Sequence, residues 1–209
     1  MHSTLTPSNV DPQAREFSFD ARDFSRVREL IYRRAGISLH EHMQAMVYSR
    51  LSRRLRETGH RSFGAYLQGL EQGHGDTAEI EWQEFINCLT TNLTAFFREE
   101  HHFPVLEQAL REMGPNQSVR LWCSAASTGE EPYSIAMCVA ETLGERAQAR
   151  IVASDIDTNV LATARKGVYD AQARGLSPER LKRHFLRGTG ANAGQIRVRP
   201  ELARLVEFK

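Results

Sequence analysis

The chain has 209 residues, 41% of them hydrophobic, enough to bury the core of one domain or of two small ones. Lys and Arg number 27 against 26 Asp and Glu, leaving a net charge of +1, so no bulk attraction to nucleic acid or to an acidic surface is implied. No apolar run approaches the roughly 18 residues of a membrane span, and there is no signal peptide. The three cysteines, Cys88, Cys123 and Cys138, lie far apart in apolar runs and read as reduced core thiols of a cytoplasmic protein.

Residues 1–15 are polar, carry Pro7 and Pro12, and read as a mobile tail. Residues 16–91 read as all-helical. Phe24, Val27, Ile31 and Ala35 recur at helical spacing and stop at Gly36. Met43, Val47, Leu51 and Leu55 form a second stripe ending at Gly59. Ser62 is placed to cap a third helix carrying Phe63, Tyr66, Leu67 and Leu70, and a Gly73-His74-Gly75 break precedes a fourth with Trp82, Phe85, Ile86 and Leu89. Short amphipathic helices with short loops make a small bundle. Arg50, Arg53, Arg54 and Arg56 lie on the second helix, mostly off its apolar face. Such a run is ordinarily a solvated face, and it also suits an acidic partner.

From about residue 100 the pattern becomes α/β. A helix is expected over 104–113, a strand from Val119, a helix from Pro132 to Leu143, a strand ending at Asp155, and a helix through Val160, Leu161 and Ala164. This βαβα order implies a parallel sheet with right-handed crossovers. The first strand runs into Ser124-Ala125-Ala126-Ser127-Thr128-Gly129-Glu130-Glu131, a small-residue loop that lets backbone approach a ligand. Asp155, an acid at the end of the next strand, can accept hydrogen bonds from ribose hydroxyls. The bland reading is an ordinary βα loop with Asp155 as a helix N-cap, a role that Asp157 can fill equally well. The stretch Asn92–Arg98 interleaves polar tips with Phe96 and Phe97, as a capped linker or as a binding segment. His101-His102 reads as the start of a helix rather than a ligand pair, and no histidine stands at metal-ligand spacing from a cysteine.

After Gly167 a β-module is expected over 168–209. Ser177-Pro178 starts a short helix, while Gln195–Arg199 and Leu205–Phe208 alternate like antiparallel strands. A two-strand parallel sheet cannot cover itself, so the chain reads as a fragment whose remaining strands follow Lys209. The module is basic, but no aromatic platform is interleaved with its arginines, which argues against nucleic acid.

Asn92-Leu93-Thr94-Ala95-Phe96-Phe97-Arg98, Ser127-Thr128-Gly129-Glu130-Glu131-Pro132-Tyr133-Ser134 and Ala153-Ser154-Asp155-Ile156-Asp157 together resemble the CheR-type chemotaxis receptor methyltransferases. The resemblance implies an N-terminal all-α domain followed by a Rossmann-like α/β methyltransferase domain with an inserted three-stranded antiparallel β-subdomain. It implies transfer of a methyl group from S-adenosylmethionine to glutamate side chains on the cytoplasmic helices of chemoreceptors, leaving S-adenosylhomocysteine, for chemotactic adaptation. Carried over residue by residue, cofactor contacts fall on Asn92, Thr94, Arg98, Ala125, Glu131 and Asp155. Arg98 is also the candidate to orient the incoming carboxylate. The resemblance places the receptor on the helical domain, which fits Arg50, Arg53, Arg54 and Arg56. It places a receptor C-terminal peptide on the subdomain, at Arg187, Gly188, Gly190 and Arg197, where the two glycines are expected to leave room for another chain to come close. No metal, no membrane insertion and a monomer are expected. Two other readings stand beside this one: a non-catalytic receptor-binding fragment, and a nicotinamide-dependent enzyme, disfavoured by the missing G-x-G-x-x-G. A carboxylate is already ionised at neutral pH and a sulfonium is a good leaving group. Methyl transfer of this kind needs mostly alignment and exclusion of water.

Overall fold

A computed structural model describes residues 16–113, 117–144 and 148–209; the tail expected over 1–15 and the helix stop expected at Gly114 lie outside them. The chain divides into two units, Met1–Leu89 and Thr90–Lys209.

The first unit holds α1 (Ala21–Ala35), α2 (Gln44–Thr58), α3 (Phe63–Gln72) and α4 (Asp76–Leu89), with a 3-10 turn at Glu41–Met43. Asp20 caps α1 reciprocally with Asp23, and Ser62 caps α3 through the Ala65 amide. Gly36 and Gly59 close α1 and α2 in left-handed conformations, φ 69° and 73°. The stripes read from the sequence meet in one core of Val27, Ile31, Val47, Leu51, Leu55, Phe63, Leu67 and Phe85, all under 1% exposed.

The second unit contains α5 (His102–Met113), β1 (Val119–Cys123), α6 (Glu130–Leu143), β2 (Ala149–Ala153), α7 (Thr158–Lys166), β3 (Val168–Asp170), α8 (Pro178–His184), β4 (Phe185–Arg187), β5 (Gln195–Val198), α9 (Pro200–Ala203) and β6 (Val206–Phe208). Its strands form two sheets. One is parallel in the order β1-β2-β6, and the other is antiparallel in the order β3-β5-β4. Helix α6 begins at Glu130, two residues before Pro132, which still falls in the first turn where its missing amide hydrogen costs nothing.

The last strand corrects the expected layout. Leu205–Phe208 does not belong to the β-module: Val206, Glu207 and Phe208 pair in parallel with Ile151, Val152 and Ala153. The parallel sheet therefore has three strands among the described residues, and the inserted antiparallel part closes at Val198, not at Lys209. Alternation over four residues identifies a strand without saying which sheet it joins, and a third strand paired with β2 satisfies the same pattern.

Candidate functional site

The parallel strands β1 and β2 end side by side, and the loops leaving their C-terminal ends form the site expected of an open α/β sheet. Cys123 closes β1, and its carbonyl accepts from the Ser154 amide at 2.9 Å. The loop then turns through Ser127, at φ 47°, and Gly129, at φ 99°. A Cβ at Gly129 would lie 2.6 Å from the Tyr169 hydroxyl and 3.0 Å from the Ala164 Cβ, so only glycine fits. Tyr169, on the first strand of the inserted sheet, donates its hydroxyl to the Thr128 carbonyl at 2.8 Å.

Asp155 holds this loop. One carboxylate oxygen accepts from the Ser127 amide at 2.8 Å and the other from the Asp157 amide at 2.9 Å. The capping role falls to Asp157, which accepts from the Asn159 and Val160 amides at the start of α7. Asp155 remains partly exposed, and each of its oxygens keeps a lone pair for a further donor. Ala125 and Glu131 are exposed beside it. Burial first, then the Glu131 and Asp155 carboxylates, push the Cys123 thiol up to about 11, which places both carboxylates around the end of β1 and leaves that thiol unreactive.

The segment 92–98 runs past the same loop. The Asn92 side-chain amide donates to Asp157 at 2.6 Å, and Thr90 donates its hydroxyl to the same oxygen, also at 2.6 Å. Asp157 is only 3% exposed, and its four donors fix the start of the segment to the start of α7. Asn92 thus spends its side-chain amide inside the protein, and its backbone carbonyl accepts from the Ser127 hydroxyl at 3.4 Å. Thr94 is half-buried and Arg98 exposed. The Arg98 guanidinium donates to the Leu93 carbonyl at 2.8 Å, curling the segment back on itself. Arg98, Glu99, His102 and Glu131 line a cleft of about 450 Å³, with Phe103 and Ile135 as its apolar wall. Of the six residues expected at the cofactor, the structure brings Arg98 and Glu131 into this cleft, sets Ala125 and Asp155 on the neighbouring loops, and roots the segment of Thr94 through Asn92. His102 was read only as a helix start, and it is the first residue of α5. Its place in the cleft depends on packing between α5 and α6, which has no local signal.

The four arginines of α2 do not act alike. Arg54 is turned inward, its side chain 17% exposed, and pairs with Glu81 and, at 3.0 Å, with Glu57. Tyr66 donates its hydroxyl to Glu81 at 2.7 Å. Burial raises the Glu81 carboxyl, but the Arg54 and Tyr66 hydrogen bonds outweigh it and hold the group below its ordinary range. Arg50 donates to the Cys88 carbonyl at 3.3 Å, and Arg56 lies 3.2 Å from Glu16. Arg53 is 67% exposed and 3.6 Å from Glu57, the geometry of a weak surface pair.

In the inserted sheet, Arg187, Gly188 and Arg197 line a concavity of about 350 Å³ with Val168, Leu186 and Ile196. The reason for Gly188 differs from the one the sequence implied. Gly188 does not leave room for another chain, because a Cβ there would overlap the carbonyl of Asn192 in its own turn. Gly190 starts a 3-10 turn at φ 57° and faces open space. Among the described residues no cluster of three His, Cys, Asp or Glu could hold a metal ion, and no helix is long and apolar enough to cross a membrane.

Comparison with known proteins agrees with both units. Residues 22–90 match the family model "CheR methyltransferase, all-alpha domain", and residues 92–209 match "CheR methyltransferase, SAM binding domain". The chain is 54% identical over 188 residues to the chemotaxis protein methyltransferases of Salmonella typhimurium (strain LT2) and Escherichia coli (strain K12), matching 88% of this chain and 63% and 64% of theirs. It is 52% identical over 209 residues to chemotaxis protein methyltransferase 2 of Pseudomonas aeruginosa (strain PAO1), covering 99% of this chain and 72% of that one. The chain thus spans a little under two thirds of the enteric relatives it matches. With an all-α unit, a strand-end acid beside a tight loop, and these matches across nearly its whole length, the chain belongs to the CheR methyltransferase family, and its α/β unit is that family's S-adenosylmethionine-binding domain.

Proposed function

We propose that this protein methylates glutamate side chains on the cytoplasmic helices of chemoreceptors, using S-adenosylmethionine and releasing S-adenosylhomocysteine. The observation that carries the reading is the arrangement of Asp155, Glu131 and Arg98 around the ends of β1 and β2. The residues present suit the cofactor's groups. Asp155 offers free lone pairs to ribose hydroxyls, and Glu131 offers negative charge to an ammonium or a sulfonium. Ile156 presents an exposed apolar face next to Asp155, suited to an adenine ring. The bound cofactor supplies an activated methyl group. This chain's own task is to align a receptor carboxylate with that methyl group and to keep water out. The Arg98 guanidinium is the group suited to hold either the cofactor carboxylate or the incoming glutamate. The proposed setting is the cytoplasm, at receptor arrays, with the protein acting as a monomer and without nucleic acid.

The reading is tested by incubating the protein with methyl-labelled S-adenosylmethionine and receptor cytoplasmic fragments. Base-labile label on glutamates, lost when those glutamates are replaced by alanine, is the expected result. Absence of transfer together with receptor binding would favour the non-catalytic binding fragment.

The proposed receptor face on α2 is tested by separating Arg53 from Arg54. Arg53→Glu should slow receptor methylation about tenfold, roughly 1.4 kcal/mol, with cofactor affinity and thermal midpoint unchanged. Arg54→Glu should instead destabilise the helical unit by about 1–3 kcal/mol, because it leaves Glu81 half-buried and unpaired. Equal, small effects on methylation from both would make the arginines a solvated face.

The inserted sheet is proposed to dock an extended receptor C-terminal peptide. Strand β4 is an edge of the order β3-β5-β4 and can take a further strand, with Arg187 and Arg197 meeting the peptide's acids. Such a tether raises the local concentration of methylation sites without touching the chemistry. Titration of receptor tail peptides should show binding that Arg187→Ala or Arg197→Ala weakens about fivefold each, roughly 1 kcal/mol. If no tail peptide binds, the module serves only the interior of its own unit.

A further inference from the structure

The inserted module reaches the cofactor segment through the side chain of Arg180 as well as through its aromatic rings. Arg180, on α8, lays its guanidinium 3.7 Å from the centre of the Phe97 ring. The same guanidinium is gripped in bidentate fashion by Glu141 on α6, with Nε and Nη2 contacts between 2.9 and 3.2 Å. Glu141 also meets His184, at the end of α8, at 2.9 Å. Burial raises the Glu141 carboxyl, yet its bonds to Arg180 and His184 outweigh that and keep it charged. The guanidinium is thus fixed on one edge by a carboxylate and presents its flat face to Phe97.

Phe97 is a residue that needs such holding. Its φ of 50° is a left-handed conformation that a bulky L residue adopts only when its surroundings impose it. Its surroundings do so. Its amide donates to the Ser134 hydroxyl at 2.9 Å, its ring packs 4.7 Å from that of Phe103, and Arg180 lies over the ring. Glu99 is likewise left-handed, at φ 54°. Arg98 sits between these two constrained residues, so its direction into the cleft follows from theirs. Phe96, one residue earlier, meets Tyr169 and Phe185 of the inserted sheet edge to face, at 4.9 and 5.6 Å.

We propose that Arg180 is a positioning residue: clamped by Glu141 and stacked on Phe97, it holds the 92–98 segment in its constrained form and aims Arg98 into the cofactor cleft. This rests on the reading of Arg98 as a cofactor or substrate contact. It assigns to the inserted module a second duty besides docking, as a brace for the site.

Two measurements on the protein separate the possibilities. Hydrogen exchange in the free protein should show the 95–99 amides exchanging at least tenfold faster in Arg180→Ala, with β1, β2 and the body of α6 unchanged. Arg180→Lys, which keeps a charge for Glu141 but loses the flat face, should restore only part of the protection. Exchange unchanged at 95–99, or raised across the whole unit, would overturn the proposal whatever Arg98 does. Calorimetric titration with S-adenosylhomocysteine then tests the link to Arg98. Arg180→Ala should weaken binding about fivefold, and adding it to Arg98→Ala should weaken it no further. Additive losses would overturn the action through Arg98. If Arg98→Ala alone leaves affinity unchanged, the reading of Arg98 as a cofactor contact fails, and the exchange result still decides whether Arg180 sets the segment.

Discussion

Replacing Asp155 with alanine should cost the protein most of its cofactor affinity: about 1–3 kcal/mol, roughly five- to 150-fold. Two losses combine in that figure. The proposed acceptor for the ribose hydroxyls disappears, and so does the carboxylate that fixes the loop through Ser127 and Asp157. Ser127, at φ 47°, holds its conformation partly because its amide is bound there, and the released loop would no longer present its backbone to a ligand. Asp155→Asn keeps one acceptor oxygen and should fall between the alanine variant and the parent. Calorimetry with S-adenosylhomocysteine measures both, and a thermal midpoint separates lost binding from lost folding. Unchanged affinity in a folded alanine variant would refute the assignment of Asp155.

A larger effect on stability is expected at Gly175, in the turn between β3 and α8. Its φ is 89°, and a Cβ there would overlap the carbonyl of Phe96. Gly175→Ala therefore combines backbone strain with a collision against main chain that cannot rotate away, and should destabilise the α/β unit by about 3 kcal/mol or more. Gly190 provides the control. It is also left-handed, at φ 57°, but has open space around its missing side chain, so Gly190→Ala should cost only about 1 kcal/mol. Urea unfolding of the two variants checks the contrast. If they prove equally mild, the close approach of Gly175 to Phe96 is not a constraint on the fold.

The helical unit was legible in the sequence because its signals are local. Each stripe, from Val27–Ile31 to Phe85–Leu89, repeats within one helix, and Ser62, Gly36 and Gly59 mark the ends by their own backbone chemistry. The strands β1 and β2, the loop between β1 and α6, and the acid at Asp155 were legible for the same reason, and the family resemblance tied them to one cofactor. What escaped the sequence depends on pairing at long range. Strand β6 was placed in the wrong sheet because its alternation is equally suited to both. Arg54 was read with its neighbours on the helix, whereas its partner Glu81 lies 27 residues away. Gly188 was read as leaving room for a ligand, whereas its own turn fills that room. Arg180 gave no signal of its own, because an arginine beside Lys182 and Arg183 on a short helix shows neither its carboxylate nor the ring beneath it.

The excursion between α7 and β6 also bears on how the parallel sheet is completed. The chain leaves at Gly167 and returns after Val198, and these two points touch: the Val198 amide donates to the Gly167 carbonyl at 2.9 Å. The pairing of β6 with β2 is distant in sequence, and for an unstructured chain the entropy of closing that loop falls due before any contact repays it. Once the antiparallel insert has formed from its own nearby strands, its two ends stand together. The separation that remains to be closed is then only the stretch from Val198 to Val206, itself shortened by α9. A prefolded insert turns a long-range strand addition into a local one, so the sequence can carry a whole extra module inside its parallel sheet with little penalty to the assembly of that sheet.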